Sequence, residues 1–133
     1  MRVIGRSVEI SECPPNIRAY VGQSFVTVGK EYEVHALAIF DGIVMMQIVD
    51  DVGMPSWRPG WLFETLDGAM ASDWICNAPN DGPISLLVGP PFVVQDEASY
   101  TQMVELETDQ VARFWKRIDD KLLRPRGDDP SER

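Results

Sequence analysis

Two apolar-rich runs, Glu31 to Phe40 and Ile43 to Asp50, flank the dipeptide Asp41-Gly42. Both turn residues tolerate positive φ, which a two-residue hairpin turn requires. A β-hairpin is therefore predicted here, and its side-chain pattern constrains the rest of the fold. In the first strand Tyr32, Val34, Ala36 and Ala38 share one face, while Glu31, Glu33 and His35 share the other until Leu37 and Ile39 continue it. In the second, Ile43, Met45 and Val49 alternate with Val44, Met46 and Ile48. Both faces are apolar near the turn, which a sheet open to water on one side does not require, so a second layer must cover the outer face.

The C-terminal region supplies that cover. Val111, Phe114, Trp115, Ile118 and Leu122 fall at i, i+3, i+4, i+7 and i+11, a single helical stripe, with Arg113, Lys116, Arg117 and Asp120 on the other side. Thr108 or Asp109 can cap the start, and Pro125 with Gly127 stops the helix, which is predicted over 108–123. A shorter helix over 97–105, capped by Asp96, is expected to bury Tyr100, Met103 and Val104. From Arg124 onward the chain is polar and is expected to be a disordered tail, leaving one globular domain over 1–123.

Elsewhere the elements are short. Residues 2–10 read as a strand ended by Pro14-Pro15, followed by a loop to Gly22 and a short strand over Ser24 to Val28. Asp50 to Gly53 forms a turn, after which Trp57, Trp61 and Phe63 stand at even spacing, as on one face of a strand, with Pro59 marking an edge or a bulge. Ala71 to Cys76, containing Trp74, and Ile84 to Val88 read as further strands separated by the loop Asn77 to Pro83. The predicted class is α+β: a strongly bent antiparallel sheet or partly open SH3-like barrel, with one or two C-terminal helices packed on it.

A chain of 133 residues with 44% apolar residues has material for one core. No apolar run approaches the roughly 20 residues of a membrane span, and Arg6 interrupts the start where a signal peptide needs its apolar stretch. Cys13 and Cys76 read as free thiols, and one histidine without a Cys-x-x-Cys pair is too few ligands for structural zinc. These features point to a cytoplasmic protein with no metal and no cofactor. Residues 31–112 hold fourteen acids against a single cation, Arg58, within a net charge of -9. Such a segment repels nucleic acid and anionic membranes and attracts basic partners.

Catalytic patterns fail one by one. His35 lies inside the hairpin strand beside Glu33, and nothing in its spacing to Cys76 supports a thiol–imidazole dyad. The segment Gly22 to Glu31 spaces its glycines wrongly for a phosphate loop and puts glutamate where magnesium needs a hydroxyl. Carboxylate pairs such as Asp50 with Asp51, or Glu64 with Asp67, stand beside turn glycines, where acids serve the turn itself. A protein-binding role is expected instead, with Asp41, Asp50, Asp51, Glu64 and Asp67 as the charged contacts and Trp57 and Trp61 as anchors. The alternatives are a small carboxylate-dependent enzyme and an SH3-like adaptor with a peptide groove floored by Trp57 and Trp61.

The runs Thr27 to Val34, Ile48 to Trp57 and Leu62-Phe63-Glu64, with a Trp at position 74, resemble a group of small bacterial proteins of the polymorphic-toxin immunity type. The matching motifs are turns and core residues, so no binding residue carries over. Members of this kind are supposed to protect a cell against a secreted toxin; the resemblance supports the fold and does not itself imply the toxin partner. The function expected is a stoichiometric protein inhibitor, an immunity protein that occludes or sequesters a toxin domain, and the acid excess makes that domain a basic one.

Overall fold

The computed structural model describes residues 1–21, 25–79 and 82–122. In chain order the elements are β1 (Arg2–Gly5), a 3₁₀ turn (Ile10–Glu12), α1 (Pro15–Val21), β2 (Glu31–Glu33), β3 (Ala36–Phe40), β4 (Ile43–Val49) and β5 (Pro55–Pro59). A second 3₁₀ turn (Gly60–Leu62) leads to β6 (Phe63–Asp67), β7 (Ile75–Asn77), β8 (Ile84–Gly89), α2 (Pro91–Val94), α3 (Glu97–Val104) and α4 (Thr108–Leu122). The strands form two antiparallel sheets, a small one in the order β2-β1-β6 and a larger one in the order β5-β4-β3-β8-β7. The class is α+β, and among the described residues the strands close no barrel.

The hairpin forms as its turn chemistry dictates. Asp41 and Gly42 sit at φ +48° and +75°, and Phe40 pairs with Ile43 beyond them. Its two faces enter different cores. Ala36, Ala38, Ile43 and Met45 pack beneath the helices against Val93, Val94, Tyr100, Met103 and Phe114. Leu37, Met46 and Ile48 turn the other way and meet Val3, Tyr32, Leu62 and Phe63 of the small sheet and its 3₁₀ turn. The larger sheet is thus the middle of three layers. Burial of Phe114 to 1% exposure stabilises the helical layer by about 2–3 kcal/mol. Asp96 caps α3, its carboxylate accepting the Ser99 N–H at 2.7 Å, which holds the Asp96 pKa below its ordinary value.

Several expectations are corrected. The run 31–40 is two strands, because Val34 and His35 carry the chain from the small sheet to the large one. The first strand ends at Gly5, and the expected loop before Gly22 contains α1, which Pro15 opens from its first position, where the missing N–H has no helical partner to lose. Phe25 to Val28 form no strand, and Ser24 lies outside the described residues. Trp57, Trp61 and Phe63 do not share one strand: the 3₁₀ turn at Gly60–Leu62 places Trp57 on β5 and Phe63 on β6, in different sheets. Trp74 precedes β7 rather than belonging to it. The mark left by Pro59 is borne out, since β5 is an edge strand bounded by Pro55 and Pro59. Cys13 and Cys76 are free thiols, one buried and one exposed. The expected tail from Arg124 lies outside the described residues.

Candidate interaction surface

The residues singled out from sequence do not converge. Asp41 is exposed in the hairpin turn, its backbone N–H donating to Pro83 O at 2.9 Å. Asp50 and Asp51 stand at the other end of β4, about 20 Å along the strand. Glu64 and Asp67 are exposed on β6, in the small sheet, and the Asp67 carboxylate accepts the Ala69 N–H at 2.9 Å.

Asp50 and Asp51 spend their acceptors inside the chain. Asp50 is 6% exposed; one oxygen accepts the N–H groups of Val52 and Met54, both at 3.1 Å, and the Arg58 guanidinium lies 3.9 Å from the other. Asp51 accepts from Lys30 Nζ at 2.8 Å, Thr27 Oγ1 at 2.7 Å and the Tyr32 hydroxyl at 2.7 Å. Those donors, Lys30 first, hold its carboxyl down at about 2, and the same contact raises the Lys30 ammonium. Burial is the main cause of the raised Tyr32 pKa. Asp51 therefore ties the segment 27–32 to the turn after β4, and Asp50 closes that turn.

The tryptophans also part company. The Arg6 guanidinium stacks over Trp61 at 4.8 Å from the ring centroid, and Arg6 Nε donates to Trp61 O at 2.6 Å. Trp57 instead meets Tyr100 of α3 edge-on, with centroids 5.1 Å apart. Around Trp57 opens a groove of about 600 Å³ between β5 and α3, walled by Phe40, Ile84, Tyr100, Val104 and Leu106. Glu97 and Glu105 stand in the same wall, and Trp61 does not line it. The Trp57 indole N–H is buried beneath the groove, without an acceptor among the described residues. Val104 was expected to be buried with Tyr100 and Met103; it is 46% exposed, and Leu106 is 38% exposed.

Sequence reading missed α3 as one wall of a surface. The available signal was apolar residues on more than one side of a helix of two turns, Tyr100 and Met103 inward and Val104 outward, followed at once by Leu106 at φ +56°. His35, the one histidine, is buried beneath α4, and burial pushes its pKa down to about 4. Comparison with protein-family models, curated proteins and solved structures gave no match.

Proposed function

We propose that the chain is a non-catalytic binding protein, an immunity protein of the polymorphic-toxin kind that neutralises a basic toxin domain in the cytoplasm by one-to-one contact. The observation that carries this reading is the groove at Trp57: an apolar trough with two glutamates in its wall. Residues 91–112, which include α2, α3 and the start of α4, hold five acids and no cation. A basic segment of the partner matches that sign, while Trp57, Val104 and Leu106 offer apolar anchorage. Prolines at both ends of β5 remove two of the five backbone donors of this edge strand, which disfavours an added strand, so the partner engages side chains. Asp41, Glu64 and Asp67 contribute at a distance, through the negative field.

Co-expression with the toxic product of an adjacent reading frame tests the proposal. Protection of the cell and a one-to-one complex that Trp57→Ala weakens are expected; survival without complex formation, or no protection, overturns it. The trough shape favours a second reading, an SH3-like adaptor for short basic peptides, which differs in giving micromolar affinity for a peptide alone.

A further inference from the structure

A second concavity has the opposite character. The turn at 71–73 and the outer face of α4 enclose a cleft of about 530 Å³ into which Arg113, Lys116, Arg117 and Lys121 project, with Phe92 and Ala71 as its apolar wall. In a chain of net charge -9, four cations line the cleft with two carboxylates, Asp73 and Asp120, and Lys121 pairs outside that lining with Glu33 at 3.4 Å. Asp73 is committed to a two-pronged ion pair with Arg117, its Oδ1 accepting from Nη2 at 2.7 Å, and this pair holds the Asp73 pKa below its ordinary value.

The arrangement is built rather than incidental. Gln110 is 1% exposed and donates through Nε2 to the carbonyls of Phe92 at 2.8 Å and Ser99 at 3.0 Å. That leaves its Oε1 to accept from Arg113 Nη1 at 3.1 Å, so one buried amide fixes Phe92 and Arg113 side by side. Arg113 has no carboxylate partner, and Lys116 has no ion pair, among the described residues. Arg113, Arg117 and Lys121 repeat at i, i+4 and i+8, where like charges oppose helix formation. Compensation of the helix dipole explains only Lys121, because that effect fades within the last turn.

We propose that this cleft binds a small phosphorylated molecule with an apolar or aromatic body, the class of the nucleoside phosphates. Arg113 and Lys116 take the phosphate oxygens, Arg117 is held by Asp73 at the edge of the phosphate site, and Phe92 with Ala71 receives the body. A volume of about 530 Å³ is far larger than one phosphate and lies within the size of small-ligand sites. The site is independent of the toxin-binding groove.

Titration calorimetry of the full chain with ADP, adenosine and pyrophosphate at low salt tests it. Saturable one-to-one binding of ADP is expected, with adenosine at least about tenfold weaker and pyrophosphate weaker than ADP. Lys116→Gln and Arg113→Gln, both at exposed positions, should each weaken ADP by about fivefold or more, with far-UV dichroism unchanged, while Glu97→Gln in the other groove leaves it unaltered. Absence of saturation at millimolar ADP, or the same affinity in both cleft variants, overturns the site. Pyrophosphate binding as tightly as ADP overturns the role given to Phe92 and Ala71.

Discussion

His35 lies edge-on to Phe114, with ring centroids 4.9 Å apart and planes at 71°, so the histidine is clamped between the larger sheet and α4. Burial is the main reason its pKa falls from 6.5 to about 4. Lys121, Arg117 and the N-terminal ammonium push the same way, and Glu33 opposes them.

The pH dependence of stability follows from that shift. Between pH 4 and 6.5 the unfolded chain binds the His35 proton and the folded chain does not. The contribution is therefore complete above pH 6.5 and is lost as pH falls towards 4, by about 3 kcal/mol over the window. Urea denaturation at intervals from pH 4 to 7.5 should show this slope, and His35→Leu should flatten it whatever it does to stability at pH 7. A wild-type midpoint that is level across the window would disprove the burial account.

Gln47 yields a prediction of opposite sign. It is fully buried in β4, cross-strand from Ala36 and Trp57, and neither its amide oxygen nor its nitrogen has a partner among the described residues. Burying unpaired polar atoms is unfavourable, so Gln47→Met, of similar volume, should raise stability by about 1–3 kcal/mol. A lower denaturation midpoint in the variant would show that the amide is satisfied in solution.

What was legible in the sequence was local. Asp41-Gly42, the Asp96 cap and the α4 stripe each act over a few residues, and each stands where the pattern placed it. The crossing at Val34-His35 was hidden because apolar residues keep the even positions on both sides of it; the expected common face of Tyr32, Val34, Ala36 and Ala38 is in fact split, the first two entering the small-sheet core and the last two the helical one. The groove was hidden for another reason: Phe40, Trp57, Tyr100 and Leu106 meet only through tertiary packing. The turn role read for this acid pair is what Asp50 performs, through the N–H groups of Val52 and Met54, whereas the bonds of Asp51 were hidden because its donors at Thr27 and Lys30 are some twenty residues away.

Asp51 should accordingly behave as a structural acid. Asp51→Ala leaves the Tyr32 hydroxyl and Thr27 Oγ1 without their acceptor and should cost about 1–2 kcal/mol, whereas Glu64→Ala should change stability by less than about 0.5 kcal/mol. Its depressed pKa adds stability that is present above pH 3.8 and is lost as pH falls through about 2. Equal thermal midpoints for the two variants at pH 7 would contradict the latch.

The same assignment determines how electrostatic steering of a basic partner has to be tested. Charge reversal at Asp50 or Asp51 damages the fold and confounds the kinetics, because those carboxylates hold the turn after β4 together. Glu97 and Glu105 stand in the groove wall and are exposed, so Glu97→Lys with Glu105→Lys changes the local field by four charges at little structural cost. In the proposed toxin complex this double variant should slow association about tenfold or more at low salt and flatten its dependence on ionic strength. Trp57→Ala removes the anchor against Tyr100 and should act mainly on dissociation, speeding it about thirtyfold or more. Stopped-flow association at 20 mM and 150 mM salt separates the two effects, using about the ionic strengths between which screening takes hold. An association rate indifferent to salt in the wild-type complex would remove steering, and an unaltered dissociation rate in Trp57→Ala would remove the groove as the docking site.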